Sequence, residues 1–243
     1  MTNSFSSYTE ASLNALIHNP KKHEIIQKKK EILSSIEQHA SAKPETILFY
    51  GFSAMILSTT NKKVFVTNIT ESIKKYLDQS DIKYTYITDE DILLNQTVFD
   101  WVVAGDEYFT FANSEDHQRG LIERLSALAG KMIITTLRDY KNQDFKDKEF
   151  SQPLAVRNDS VNKIFLEHHD YDYTDKISWV TNVYEIQGSD MTIYGPFNRR
   201  AMFFKQMAKF SIDCGAKSFF VHKNLMYKSL IKKNYEHVIS ISF

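Results

Sequence analysis

Polar residues able to do chemistry recur directly after short apolar runs in this chain. Gly51 follows Thr46–Tyr50, Asn68 closes Lys63–Asn68 with Ile69 after it, Asp89 and Glu90 follow Lys83–Thr88, and Asp106 follows Phe99–Gly105. Glycine at such a place lets the backbone come close to a ligand. An amide or carboxylate there can hold hydroxyl and amine groups. Asp106 is the first candidate for catalysis, because a carboxylate at the end of a buried strand can orient a nucleophile or take its proton. Further along, His168 and His169 stand among Asp170, Asp172 and Asp175. Neighbouring residues of a strand face opposite ways, so the two imidazoles do not converge on one ion, and no metal site is expected. Either histidine is a candidate general base, since imidazole titrates near neutrality. Tyr108, Trp179, Tyr194 and Arg199 are candidates for a substrate pocket, the rings as walls and the guanidinium as a clamp for a carboxylate or phosphate. Each of these residues also has a plain structural reading as a turn former, a helix cap or a core ring.

The elements that must position them follow from periodicity. Ile25, Ile26, Ile32, Leu33 and Ile36 make one apolar stripe over Pro20–His39, which predicts a helix with a basic solvated face. Five apolar runs read as strands: Thr46–Tyr50, Lys63–Asn68, Lys83–Thr88, Phe99–Ala104 and Lys131–Leu137. Ala54–Ser58 is a candidate short helix, Thr70–Gln79 a longer one, and Gln118–Leu128 an amphipathic helix closed by Gly130. Strands that are apolar throughout and separated by helices call for a parallel sheet covered on both faces, whose ligands sit at the carboxyl ends of the strands. From Val161 the pattern alternates in the antiparallel manner, in Val161–His168, Ile177–Ile186 and Met191–Tyr194. A helix over Arg199–Cys214 is expected next, then a strand Ser218–His222, a helix Lys223–Lys232 and a strand Tyr235–Phe243. The expected organisation is an N-terminal helical segment over 1–43 and an α/β domain over 44–243, with 145–196 as a cap or insertion.

Composition narrows the function classes. At 243 residues and 42% hydrophobic content the chain can bury a full core, which excludes global disorder. Thirty basic and thirty acidic side chains cancel, arguing against a protein built to grip nucleic acid or an anionic membrane. A single cysteine, Cys214, excludes an internal disulfide framework. No apolar run approaches the length of a membrane span, so the chain reads as soluble and cytoplasmic. Self-association as a homo-oligomer is left open.

Taken in order, these strand ends resemble the class I (Rossmann-like) S-adenosylmethionine-dependent methyltransferases over about Pro44 to Phe243. Ile47-Leu48-Phe49-Tyr50-Gly51-Phe52-Ser53-Ala54 stands where that family has its glycine-rich loop. Thr67-Asn68-Ile69-Thr70 is similar to the end of its second strand, and Phe99-Asp100-Trp101-Val102-Val103-Ala104-Gly105-Asp106 to its fourth motif. The resemblance implies a three-layer sandwich, mostly parallel with an antiparallel C-terminal strand, plus a small β-containing insertion. It implies S-adenosylmethionine as cofactor, with Gly51 and Ser53 under the methionine part. Asn68 and Ile69 would meet the ribose, Asp89 and Glu90 the adenine, and Ala104 and Gly105 would line the cleft. Methyl transfer would go to a small molecule or an exposed side chain, with Asp106 orienting the acceptor and His168 or His169 assisting. Three positions depart from the family pattern: Ser53 stands for a glycine, Phe49 for an acid and Asn68 for an acid. These departures define the alternative, a catalytically degenerate member of the fold used as a binding or assembly subunit.

Overall fold

The computed structural model describes residues 10, 22–41, 43–56, 62–79, 82–140, 148–150, 153–158, 161–172, 177–228 and 235–243. Helix α1 (Lys22–His39) leads into β1 (Thr46–Tyr50), a 3-10 turn (Gly51–Ile56), β2 (Lys63–Thr67), α2 (Glu71–Asp78), β3 (Thr85–Tyr86) and α3 (Asp89–Leu94). Then come β4 (Phe99–Ala104), α4 (Asp106–Thr110), α5 (Glu115–Leu128) and β5 (Ala129–Arg138). The strands β6 (Lys148–Phe150), β7 (Leu154–Asn158), β8 (Val161–Asp172), β9 (Ser178–Gln187) and β10 (Asp190–Arg200) follow. The chain closes with α6 (Phe204–Asp213), β11 (Ser218–Lys228) and β12 (Tyr235–Ser242).

The main sheet has seven strands in the order β11-β12-β5-β4-β1-β2-β3. Strands β1 to β5 run parallel, and β12 runs antiparallel to both β5 and β11. Alternation along each strand explains the three layers. Ile47 and Phe49 of β1 join Trp101 and Val103 of β4 in a core with α1 and α2, through Ile26, Ile36, Ile73 and Leu77. Leu48 and Tyr50 point the other way and join Val102, Ala104, Ile122, Leu125, Met207 and Phe210 under α5 and α6. A strand covered on both faces must be apolar along its buried stretch, and residues 101–104 of β4 are that case. The N-terminal helix is therefore a wall of the sandwich.

Helix starts follow local chemistry. The Thr70 hydroxyl accepts the Ile73 N–H at 3.3 Å at the head of α2. Thr88 and Asp91 form a reciprocal capping box before α3, and Ser114 accepts the His117 N–H at 3.1 Å before α5. Three expectations need correction. Gly130 does not close α5, because Ala129 is already extended and the chain passes directly into β5. The helix expected from Arg199 begins at Phe204, since Phe197 and Arg199 continue the ladder of β10 against Thr181 and Trp179. The segment after His222 remains in β11 as far as Lys228, with a register shift between His222 and Tyr227. Residues 229–232 of the expected helix lie outside the described residues, as do 57–58 of the short helix expected over 54–58, whose described part belongs to the 3-10 turn Gly51–Ile56.

The insertion is a five-stranded antiparallel sheet, β10-β9-β8-β6 with β7 also paired to β8, and it extends to Arg200. It docks where β4 and β5 end, with Phe197 on Phe111 and Trp179 against Tyr140 and Ala201. No described helix is long and apolar enough to cross a membrane.

Candidate active site

The carboxyl ends of β1 to β4 form one edge, and the backbone there is unusual at two places. Gly51 leaves β1 at φ +51°, and Asn68 leaves β2 at φ +52°. Glycine enters the left-handed region freely, and asparagine tolerates it better than most residues. Turning there brings the Asn68 side chain back to the tip of β3, where its amide donates to Asp89 Oδ2 at 3.1 Å. The Thr67 hydroxyl donates to Asp89 Oδ1 at 3.4 Å. Arg124, reaching over from α5, pairs with Asp89 Oδ2 at 2.7 Å.

Two phenols complete this cluster. The Tyr50 and Tyr108 rings lie 5.1 Å apart, and Tyr108 meets Phe109 edge-on at 5.5 Å. Burial, with Tyr108 beside it, pushes the Tyr50 hydroxyl well above its ordinary value. Burial likewise pushes Tyr108 up to about 12, with Arg124 opposing and Asp89 adding to the shift. Neither phenol ionises near neutral pH, so both act as ring surfaces and neutral hydroxyls. Ala104 is fully buried, and Gly105 in extended conformation starts α4 at Asp106. The side chains of Phe52, Met55 and Asp106 lie outside the described residues. Ser53 and Ile69 are half-buried on this edge, whereas Glu90 is exposed on α3. Phe49, where the resemblance places an acid, is inside the core.

The structure separates the two histidines. His169 faces the domain, with Nδ1 3.0 Å from Thr181 Oγ1 and Nε2 3.4 Å from a Glu167 carboxylate oxygen. His168 is on the opposite face of the insertion, stacked on Phe150 at 4.6 Å, and does not share the site. Burial pushes the Glu167 carboxyl up, but the His169 hydrogen bond and the charges of His169, Arg199 and Arg138 outweigh it and hold it below the usual value. Arg199 is buried and donates from Nε and Nη2 to Thr110 Oγ1 at 3.1 and 2.6 Å. Its guanidinium also lies over the Phe111 and Trp179 rings at 4.9 and 5.3 Å. Trp179 and Arg199 thus join the insertion to the end of α4. Tyr194 donates to Glu185 at 3.0 Å, and Glu185 also pairs with Lys163. Among the described residues, no three His, Cys, Asp or Glu side chains converge as metal ligands.

Three residues here escaped the sequence reading: Arg124, Thr110 and Gln118. The Gln118 amide is fully buried and donates to the Phe109, Arg200 and Ala201 carbonyls at 3.4, 3.4 and 3.2 Å, while its carbonyl accepts from Gln206 at 3.0 Å. Both Gln118 and Arg124 belong to α5, whose polar side reads as solvated until the tertiary structure covers it.

Neither a protein-family model nor a curated protein matches the sequence. Solved structures do match the fold. The CcbJ methyltransferase from Streptomyces caelestis superposes with a TM-score of 0.62 at 11% identity, over 89% of this chain and 94% of that one. CalS10, an amino pentose methyltransferase from Micromonospora echinaspora, gives 0.60 at 9% identity over 90% of each chain. A methyltransferase from Clostridium acetobutylicum ATCC 824 gives 0.58 at 9% identity, over 89% of this chain and 91% of that one. Sheet order, antiparallel last strand and these superpositions agree: the chain has the fold of the class I, Rossmann-like S-adenosylmethionine-dependent methyltransferases.

Proposed function

We propose that this chain is an S-adenosylmethionine-dependent methyltransferase acting on a small molecule held between the strand tips and the insertion. The observation that carries this reading is the hydrogen-bonded set Thr67, Asn68 and Asp89 at the tips of β2 and β3, beside the left-handed turn at Gly51. Amide and carboxylate groups at that place suit the hydroxyls and amine of a nucleoside. Gly51 and Ser53 would flank the amino-acid half, with Ile69, Ala104, Gly105 and Tyr108 as walls. Phe49 lies inside the core where the resemblance places the acid that meets an ammonium group, so binding leans on the nucleoside half. The group supplies an electrophilic methyl when bound. The chain's own work is to orient the acceptor, exclude water and receive a proton. Asp106, heading α4, is assigned to the acceptor. His169, fixed by Thr181 and Glu167, is assigned to the proton, and Tyr194 and Arg199 to the frame of the pocket. The alternative of a degenerate binding subunit rests on the departures at Phe49, Ser53 and Asn68 alone, and the methyltransferases of like fold lend it no support.

Titration calorimetry with S-adenosylmethionine and its demethylated product tests this. Binding in the micromolar range is expected. Asp89→Ala should weaken it at least tenfold, the loss of a charged hydrogen-bond partner being worth roughly 1.5–3 kcal/mol. Absence of heat from the unaltered protein at millimolar ligand removes the enzymatic reading.

A further inference from the structure

The outer face of the insertion, which turns away from the domain, is apolar where a solvated sheet face should be polar. Register places residues on this face in rows. Met191, Ile186 and Ile164 form one row and Ile193, Tyr184 and Leu166 the next. Asn182, His168 and Phe150 form the third. Within these rows Phe150, Met191, Ile193 and Ile164 are 59%, 57%, 52% and 41% exposed. The opposite face already buries Phe165, Trp179, Val183 and Phe197, so the domain does not explain the outer rows. Beyond them the face turns polar, with the Lys148–Asp170 pair at 3.8 Å and Asn198 exposed. An apolar centre with a charged border is the anatomy of a protein interface.

We propose that this face binds the same face of a second copy of the chain, stacking two insertion sheets about a two-fold axis. The occupant is chosen on three grounds. The first two rows carry no carboxylate, ammonium, guanidinium or imidazole, so a charged partner gains nothing from them. The formal charge of the chain is zero, so two copies do not repel at long range. The border offers one cation and one anion, Lys148 and Asp170, which a two-fold operation presents to their counterparts. The area also suits. Strands β8, β9 and β10, with the shorter β6 and β7 both along the outer edge of β8, lie about 4.8 Å apart and rise ~3.4 Å per residue, which gives a face of roughly 600 Å². Two such faces bury about 1,200 Å², the lower end of what specific dimers use. Sheets stack about 10 Å apart, which side chains of this size fill.

Sedimentation velocity of the full chain from about 1 to 100 µM tests the proposal. The unaltered protein should move from monomer towards dimer over this range. Ile193→Asp and Ile164→Asp, made separately and together, should raise the dimer Kd at least a hundredfold and leave the circular dichroism spectrum unchanged. Phe150→Lys, which adds charge to the third row, should act in the same direction. Leu94→Asp changes an equally exposed apolar residue on α3 and should leave association as it was. A monomer at 100 µM, or a double variant that dimerises as well as the unaltered chain, overturns the proposal. The outcome is independent of whether the protein binds a nucleoside.

Discussion

Asp100 lies in β4 well before its carboxyl end, yet it organises the start of the sheet. Its carboxylate accepts the N–H groups of Glu45 at 2.6 Å and Thr46 at 3.1 Å, and pairs with Lys131 at 2.8 Å. The Asp100 N–H in turn donates to the Thr46 hydroxyl at 2.9 Å. Partial burial pushes this carboxyl up, but Lys131 and the two N–H groups outweigh it and hold it below the usual carboxylate value. A lowered folded-state value means stability that is present above the unfolded value and lost as pH falls through the folded one. Asp100→Asn should therefore lower unfolding free energy by about 1–2 kcal/mol at pH 7, the figure being discounted for partial exposure. Urea unfolding from pH 7 down to pH 2 should show the gap narrowing below about pH 4, as the native carboxylate is protonated. A gap that stays constant over that range contradicts the assignment.

The same logic of local chemistry governs the elements. Gly51 turns the chain from β1 into the 3-10 segment at φ +51°, and Gly51→Ala should cost about 1–2 kcal/mol of stability because a Cβ crowds the following carbonyl there. Thr88→Ala removes the capping box of α3 and should cost about 1 kcal/mol, with thermal unfolding as the measurement. Elements set by their own residues were also the ones legible in sequence. Strand β4 has the expected bounds because Phe99-Asp100-Trp101-Val102-Val103-Ala104 fits only a strand buried on both faces. Gly51 and Asn68 were legible as ends of apolar runs. The start of α6 was not, because Arg199 and Arg200 have good helix propensity and only pairing with Trp179 and Ser178 holds them extended. The Asp89–Arg124 pair was legible only by half: a carboxylate after a strand is a local signal, whereas an arginine on the polar side of a helix gains its partner through tertiary packing.

At the scale of the whole molecule, the insertion and the domain share buried polar groups as well as apolar surface. Arg199 of β10 meets Thr110 at the end of α4, and its charge acts on Glu167 of β8 together with His169 and Arg138. Gln118 ties the β10–α6 junction to α5 through the Arg200 and Ala201 carbonyls. A seam of this kind makes the two parts unfold together, because separating them exposes donors and acceptors that have no equivalent partners within either part. Arg199→Met tests the seam. Its volume is partly conserved, but the guanidinium that lies over Phe111 and Trp179 and donates to Thr110 is lost together with its charge, so Glu167 keeps its place with less positive charge around it. Removing one member of a buried charged set costs about 3–5 kcal/mol. The Glu167 carboxyl should then rise from its depressed value, so the penalty is greatest near neutral pH and shrinks as acid protonates the group. Pairing Arg199→Met with Glu167→Gln should cost less than the sum of the two single changes, the signature of coupled neighbours in a double-mutant cycle. Additive penalties, or a penalty independent of pH, would mean that Arg199 holds the insertion through its stacking and its Thr110 hydrogen bonds alone.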